Sequence, residues 1–424
     1  MAVSVGQGKQ WVTGFLLAAL GISSLGDFIY LVALNLTVLE RTHSAAAVSA
    51  LWAIPPAAAI LTRLWSGSVV DRVDKKSVLV ANDIARGVLV LSLPFLHNLY
   101  VMYAVIFLLG VCDTLYRTAF NPYLTKLIPA EQWKRTNSLL GMTQTGAIVV
   151  GPALAGALLA FSSPGIALGL NGISFLLSGL IFIFFLPKVV IEAKTDTASG
   201  RPNIWRTILA DWRAVFAFAK ENAYFIFIYL LCQLATVIGM SLDSQEVVFA
   251  ERVLGLDASG YSLLVSCCGV GYVLGALFVA VFAKRLPLKL LIGSVVLTSV
   301  GFIVYAYAGG FWAAAFGFAV LGFFQSCTST GFQTFYQMQV PVEKMGRISG
   351  VFGLFQSASV VLCTILVGVL ADLWGIDVLV KSVVWLHMAI TASIFITALW
   401  PTQAHRFVEH HEATAAAENG RALS

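Results

Sequence analysis

Trp11–Leu39 reads WVTGFLLAALGISSLGDFIYLVALNLTVL, an apolar stretch interrupted by one charge, Asp27. A helix needs about 20 mostly apolar residues to cross a bilayer, because lipid offers backbone N–H and C=O groups no partner. This stretch is long enough, and it is too long for the apolar core of a secretion signal. Eleven similar runs follow, near 46–70, 78–96, 99–123, 137–161, 165–186, 223–249, 260–282, 288–307, 311–336, 348–370 and 378–399. Of the 424 residues 59% are hydrophobic and 11% charged, and the mean hydropathy is +0.87. A soluble domain carries about a quarter charged residues, so a soluble, disordered or disulfide-stapled protein is excluded. The formal charge of +5 is dispersed, with no basic block for nucleic acid. Cys112, Cys232, Cys267, Cys268, Cys327 and Cys363 all lie in apolar runs without metal-ligand spacing and read as inert buried thiols. The fold expected is an all-α polytopic membrane protein with twelve spans.

The only long break, Pro187–Asn222, is charged and separates six spans from six. The expected division is a six-helix bundle over 1–187, a linker over 188–222, a second bundle over 223–400, and a disordered tail over 401–424. With both termini on one side, twenty Lys and Arg fall in segments on that side. Only Arg41, Arg252 and Lys381 fall on the other. The positive-inside rule then puts both termini and the linker in the cytoplasm of a multi-pass protein of the cell membrane. Within the linker, Ile204, Trp205, Ile208, Leu209, Trp212, Val215 and Phe216 recur at helical spacing opposite Arg206 and Arg213. This fits a helix lying in the inner membrane interface, with a packed linker helix as the alternative.

Sliding the chain on itself by 212 residues aligns its halves. Pro129-x-Glu131-x-x-x-Arg135 falls on Pro341-x-Glu343-x-x-x-Arg347, and Gly141 and Gln144 fall on Gly353 and Gln356. Both copies run in the same direction, which makes this a parallel repeat and places a substrate path between the halves near the midplane.

Between spans 2 and 3 stands Gly67-Ser-Val-Val-Asp71-Arg72-Val-Asp74-Lys75-Lys76. It resembles the loop signature of the major facilitator superfamily: glycine, three residues, Asp-Arg, then paired basic residues. The resemblance covers residues 10–400 and implies two parallel six-helix repeats, the major facilitator fold. It also implies a gating role for Gly67, Asp71, Arg72, Lys75 and Lys76. Gly67 would permit close helix packing, and Asp71 would sit on the positive N-terminus of span 11, latching the cytoplasmic side. The signature's second glycine is Asp74 here. That variant, with Gly26-Asp27 and Asp83-x-x-Arg86, looks like the macrolide-efflux branch of the drug:proton antiporters, a pattern shared by siderophore and peptide-antibiotic exporters.

Span 5 carries Gly146, Gly151-Pro152, Ala155 and Gly156. This is similar to the antiporter signature ending in Gly-Pro-x-x-Gly-Gly, which in the family accompanies export; Ala155 replaces one glycine. The repeat partner of Gly151-Pro152 is Cys363-Thr364, so generic close packing, the alternative, does not explain why one half alone has the motif.

Ionisable groups within spans are costly and usually face a cavity with a partner. Asp27 lies midway along span 1. Asp113 lies midway along span 4, with Arg117 one turn away on the same face. These three are the expected proton-coupling residues, against the alternative of a permanent Asp113–Arg117 pair. Spans 1, 4, 7 and 10 line the cavity in the family, which makes Tyr30, Asn35, Asn121, Gln325, Gln333, Asp243 and Glu246 candidate cavity residues. Asp243 and Glu246 lie near the outer end, where exposure to outside water is the competing reading. Asp83 and Arg86 read as a structural pair low in span 3, and His387 as a satisfied core residue. Arg63 either snorkels or pairs.

The function expected is proton-coupled efflux of small amphipathic compounds by alternating access. The alternatives are a nutrient or metabolite proton symporter, a lysophospholipid flippase, and a non-transporting receptor. No nucleophile–base set, phosphate loop or metal spacing points to an enzyme. No cofactor beyond the proton gradient is implied; the partners are a small-molecule substrate and the lipid bilayer, with no nucleic acid and no obligatory protein partner.

Overall fold

The computed structural model describes residues 9–129, 132–188, 204–282 and 285–399, and among them every regular element is helical. The first half comprises α1 (Lys9–Thr42), α2 (Ala45–Arg72), α3 (Lys75–Ser92), a 3-10 turn at Leu93–Phe95, α4 (Leu99–Leu127), α5 (Trp133–Phe161) and α6 (Pro164–Phe185). There follow α7 (Ile204–Glu221), α8 (Ala223–Asp243), α9 (Glu246–Arg252), α10 (Ala258–Phe282), α11 (Leu288–Gly293) and α12 (Val295–Ala306). The chain then forms α13 (Phe311–Gln339), α14 (Val342–Trp374) and α15 (Ile376–Leu399). Among the described residues twelve segments are long and apolar enough to span a membrane, as the hydropathy predicts, with α11 and α12 forming one of them.

Two spans differ from expectation. The seventh does not run on to residue 249 but ends at Asp243, and the chain turns at Ser244–Gln245 before α9. Both turn residues are fully buried. The turn lets Gln245 donate from Nε2 to the Ser49 hydroxyl of α2 and to the Ser244 hydroxyl. The ninth breaks at Ser294, whose hydroxyl donates to the Leu291 carbonyl and pairs with Thr328 of α13.

The described residues form two compact units. One holds 9–129, 132–188, 243–269 and 357–379; the other holds 204–242, 270–282, 285–356 and 380–399. In the first, α1 packs on α5 and α6, α3 on α4 and α6, and α2 on α4. Leu16, Leu79, Tyr123 and Phe182 form a core there. In the second, Phe225, Tyr229, Phe335 and Phe352 make an aromatic core. The linker helix α7 joins that core through Val215 and Phe218, while Trp212 meets Phe355 at 5.4 Å. The C-terminal part of α7 is thus a packed helix. The side chains of Ile204–Asp211, which carry much of the expected interfacial face, lie outside the described ones, as do residues 401–424.

The helix ends are secured by charge. Asp372 of α14 sits on the N-terminus of α2 and accepts hydrogen bonds from the Ser44 hydroxyl (2.6 Å), the Ala45 amide (2.8 Å) and the Ala46 amide (3.1 Å). A carboxylate there satisfies orphan N–H groups and opposes the positive end of the helix dipole. Gly368 of α14 makes the approach feasible, since a Cβ there would lie 2.3 Å from the Ser49 hydroxyl. Arg252 adds a hydrogen bond to the His43 carbonyl at 2.6 Å.

Candidate functional site

The loop after α2 turns out to be a set of helix caps. Asp74, in the place of the signature's glycine, caps α3 by accepting from the Ser77 amide (3.0 Å) and hydroxyl (2.7 Å). Burial acts to raise its pKa, but the Ser77 hydroxyl and amide outweigh it and hold the carboxyl below its usual value. Lys75 is buried and donates to the Val70 carbonyl at the C-terminus of α2. Lys76 donates to the Ile183 (3.0 Å) and Leu186 (2.6 Å) carbonyls at the end of α6. Each lysine places positive charge where a helix ends in unpaired carbonyls. Gly67 does not mediate the close packing expected of it. No heavy atom lies within 4 Å of where its Cβ would be, so the space beside it is open. The backbone of Asp71 and Arg72 closes α2, and their side chains lie outside the described ones.

Small residues on α5 set two close contacts. A Cβ on Gly151 would lie 2.6 Å from the Cβ of Phe28 on α1, next to Asp27. One on Gly156 would lie 2.6 Å from the Cβ of Ser262 on α10. Pro152 is buried within α5. Gly146 is exposed and meets nothing within 4 Å, so this member of the motif plays no packing part.

In the middle of the first unit the structure gathers five charges from three helices. Arg117 donates from Nε to Asp113 at 2.8 Å; their side chains are 78% and 44% exposed. Asp113 also lies 4.0 Å from Nη1 of Arg86. Arg86 bonds Asp83 through Nη2, with side chains 8% and 0% exposed, and the Ser178 hydroxyl of α6 donates to the other Asp83 oxygen at 2.8 Å. The guanidinium lies over the Tyr116 and Phe175 rings, 4.4 Å from each centroid. Asp27, on α1, is exposed and feels the charges of Arg86, Asp113, Arg117 and Asp83. Asp83 and Arg86 are therefore not low in the third span, nor do they support the inner loop. They join the Asp113–Arg117 pair into one network at mid-helix. The sequence reading missed this because i,i+3 spacing accounts for Asp83–Arg86 alone, and nothing in the spacing reports the fold-level approach of α3 to α4.

The other candidates fall elsewhere. Tyr30 is half-buried on α1, and Asn35 is buried, with its Oδ1 accepting from the Trp52 indole at 3.3 Å. Asn121 on α4 and Gln325 and Gln333 on α13 are exposed. Asp243 and Glu246 flank the Ser244–Gln245 turn, half-buried and close enough to repel each other. His387 is buried, with its Nδ1 2.8 Å from the Ser299 hydroxyl, a satisfied core residue as expected. Arg63 is exposed on α2.

Twelve apolar spans with ionisable side chains lodged in mid-span define a polytopic membrane transporter, since charge is kept in a span mainly where something must pass or bind. The sequence profile of the Major Facilitator Superfamily matches residues 16–250 and 244–420, and the chain belongs to that family of transporters rather than to any enzyme class. It is 27% identical over 376 residues to the MFS-type transporter YfiS of Bacillus subtilis (strain 168), covering 85% of this chain and 87% of that one. It is 25% identical over 273 residues to the putative bacilysin exporter BacE of Bacillus amyloliquefaciens, covering 63% of this chain and 65% of the relative. The fold resembles that of the nucleoside transporter NupG, with a TM-score of 0.71 and 15% identity over 92% of this chain and 99% of that one. A bacterial homolog of the human lysosomal transporter Spinster, inward-facing and unoccupied, superposes with a TM-score of 0.73 at 12% identity over 96% and 99%.

Proposed function

We propose that this transporter is a proton-coupled exporter of small amphipathic compounds, of the drug:proton antiporter kind, seated in the cell membrane with both termini cytoplasmic. The observation that supports the reading most is the mid-span network, in which Asp27, Asp113 and Arg117 are accessible while Asp83 and Arg86 are buried behind them. A carboxylate in such a place can take a proton from one side and release it to the other. Arg117, always charged, sets when Asp113 protonates. The relation to a putative bacilysin exporter supports the outward direction. In this reading the six-helix halves, 1–187 and 223–400, are the moving bodies, and the loop at 67–76 latches one end through Asp71. No cofactor takes part beyond the proton gradient, and the partners are the substrate and the bilayer.

The test is efflux of a panel of amphipathic dyes and antibiotics from cells expressing the protein, with and without a proton gradient. Asp27→Asn and Asp113→Asn should each abolish gradient-driven efflux and leave substrate counterflow intact. Uphill efflux in both variants with unchanged pH dependence would move the proton site elsewhere, with Asp243 and Glu246 next in line.

A further inference from the structure

Arg86 is packed against two rings: its guanidinium carbon lies 4.4 Å from the centroid of Tyr116 and 4.4 Å from that of Phe175. Its two terminal nitrogens address different carboxylates: Nη2 holds buried Asp83, and Nη1 lies 4.0 Å from Asp113, just beyond hydrogen-bond distance. Its Nε is buried without a hydrogen-bond partner. Asp113 in turn stands between two arginines, bonded at present to the exposed Arg117. The arrangement has a fixed end, where Asp83 is also held by Ser178, and an exchangeable end.

We propose that Arg86 is a positioning residue for proton exchange: the second, buried counter-ion of Asp113, which takes over that carboxylate when Arg117 lets go. This rests on the proton-coupled reading of Asp113. The groups that bear on Arg86 come from every helix around it. They are Asp83 from its own helix, Asp113, Tyr116 and Arg117 from α4, Asp27 from α1, and Ser178 beside Phe175 from α6. A lone guanidinium in apolar surroundings would be too costly to keep, whereas one shared by two carboxylates has a partner in either position. Arg117 alone would leave Asp113 without a cation each time the exposed side chain swings out into water.

The experiment needs no substrate. The protein is reconstituted in phosphatidylcholine vesicles, and its protonated carboxyl groups are titrated by infrared spectroscopy, with the Asp113 band identified by its loss in Asp113→Asn. Removing Arg86 alone would strand Asp83, so the informative variant is Asp83→Asn/Arg86→Met, its folding checked by size-exclusion chromatography. There the midpoint of the Asp113 band should move to higher pH by about one unit or more, the effect of losing a cation at this range. Arg86→Lys, which keeps the charge, should leave the midpoint near that of the wild type. A titrating Asp113 band with an unchanged midpoint in the double variant would overturn the role of Arg86 alone. An Asp113 that shows no titrating band in the wild-type protein would overturn the proton reading itself, and this proposal with it.

Discussion

In sequence, the repeat matches the middles of the two halves residue for residue. Asp27 matches Gly239, Asp83 matches Val295, Arg86 matches Thr298, Asp113 matches Gln325, and Phe175 matches His387. In the first half these positions hold an ion network; in the second they hold neutral groups. Ser299 bonds both His387 Nδ1 (2.8 Å) and Thr391 (2.7 Å), and His387 packs edge-on against Phe302. One helical frame has therefore been filled in two ways. The neutral filling is sufficient to hold helices together, so the charged filling answers a need other than cohesion. A network of hydroxyls and imidazole is satisfied as it stands, whereas a network of carboxylates and guanidiniums changes its pairing whenever a proton arrives.

The largest consequence concerns stability. Asp83→Asn leaves Arg86 buried without its main counter-ion and should cost about 3–5 kcal/mol. Ser299→Ala, which removes a neutral hydrogen-bonding group from the matching region, should cost about 1–2 kcal/mol. Thermal unfolding of the two variants in detergent gives the comparison directly, and equal losses would end it. A smaller difference should appear at the glycines beside these networks. A Cβ on Gly26 would lie 2.3 Å from the Asn171 Oδ1 and 2.4 Å from the Ser174 hydroxyl. Gly26→Ala should therefore cost about 1–3 kcal/mol through overpacking. The smallest effect belongs to Gly239→Ala in the other half, whose Cβ would meet His387 Nε2 at an ordinary 4.0 Å; its unfolding temperature should match the wild type. A large loss there would show that the second half is packed as tightly around its polar centre as the first.

Much of this was legible in the sequence. The spans followed from the length of the apolar runs, and the fold followed from the loop at 67–76 and the repeat. Asp113–Arg117 was found from helical spacing, and the small residues of α5 at Gly151 and Gly156 from their resemblance to the antiporter signature. What stayed hidden depended on contacts between distant segments. The approach of Arg86 to Asp113, the seat of Asp372 on α2, and the reach of Lys76 to the end of α6 each join residues whose separation no periodicity encodes. The turn at Ser244–Gln245 was hidden for a related reason. Hydropathy averages over about 20 residues and passes over two polar side chains that break a helix to reach a partner.

The capping of α2 has a mechanical consequence. With Asp372 at its first turn and Lys75 at its last carbonyls, the helix is a beam pinned at both supports. Pro55 and Pro56 stand near its midpoint, where they lack the N–H groups that would tie them to the preceding turn. A beam so held bends where it is weakest, so a displacement imposed at either support is delivered to the centre. There Trp52 bonds Asn35 of α1, and Pro55 touches the place where a side chain on Gly110 of α4 would be. Gly110 lies less than one helical turn from Asp113, so a load on either end of α2 bends the chain beside that carboxylate.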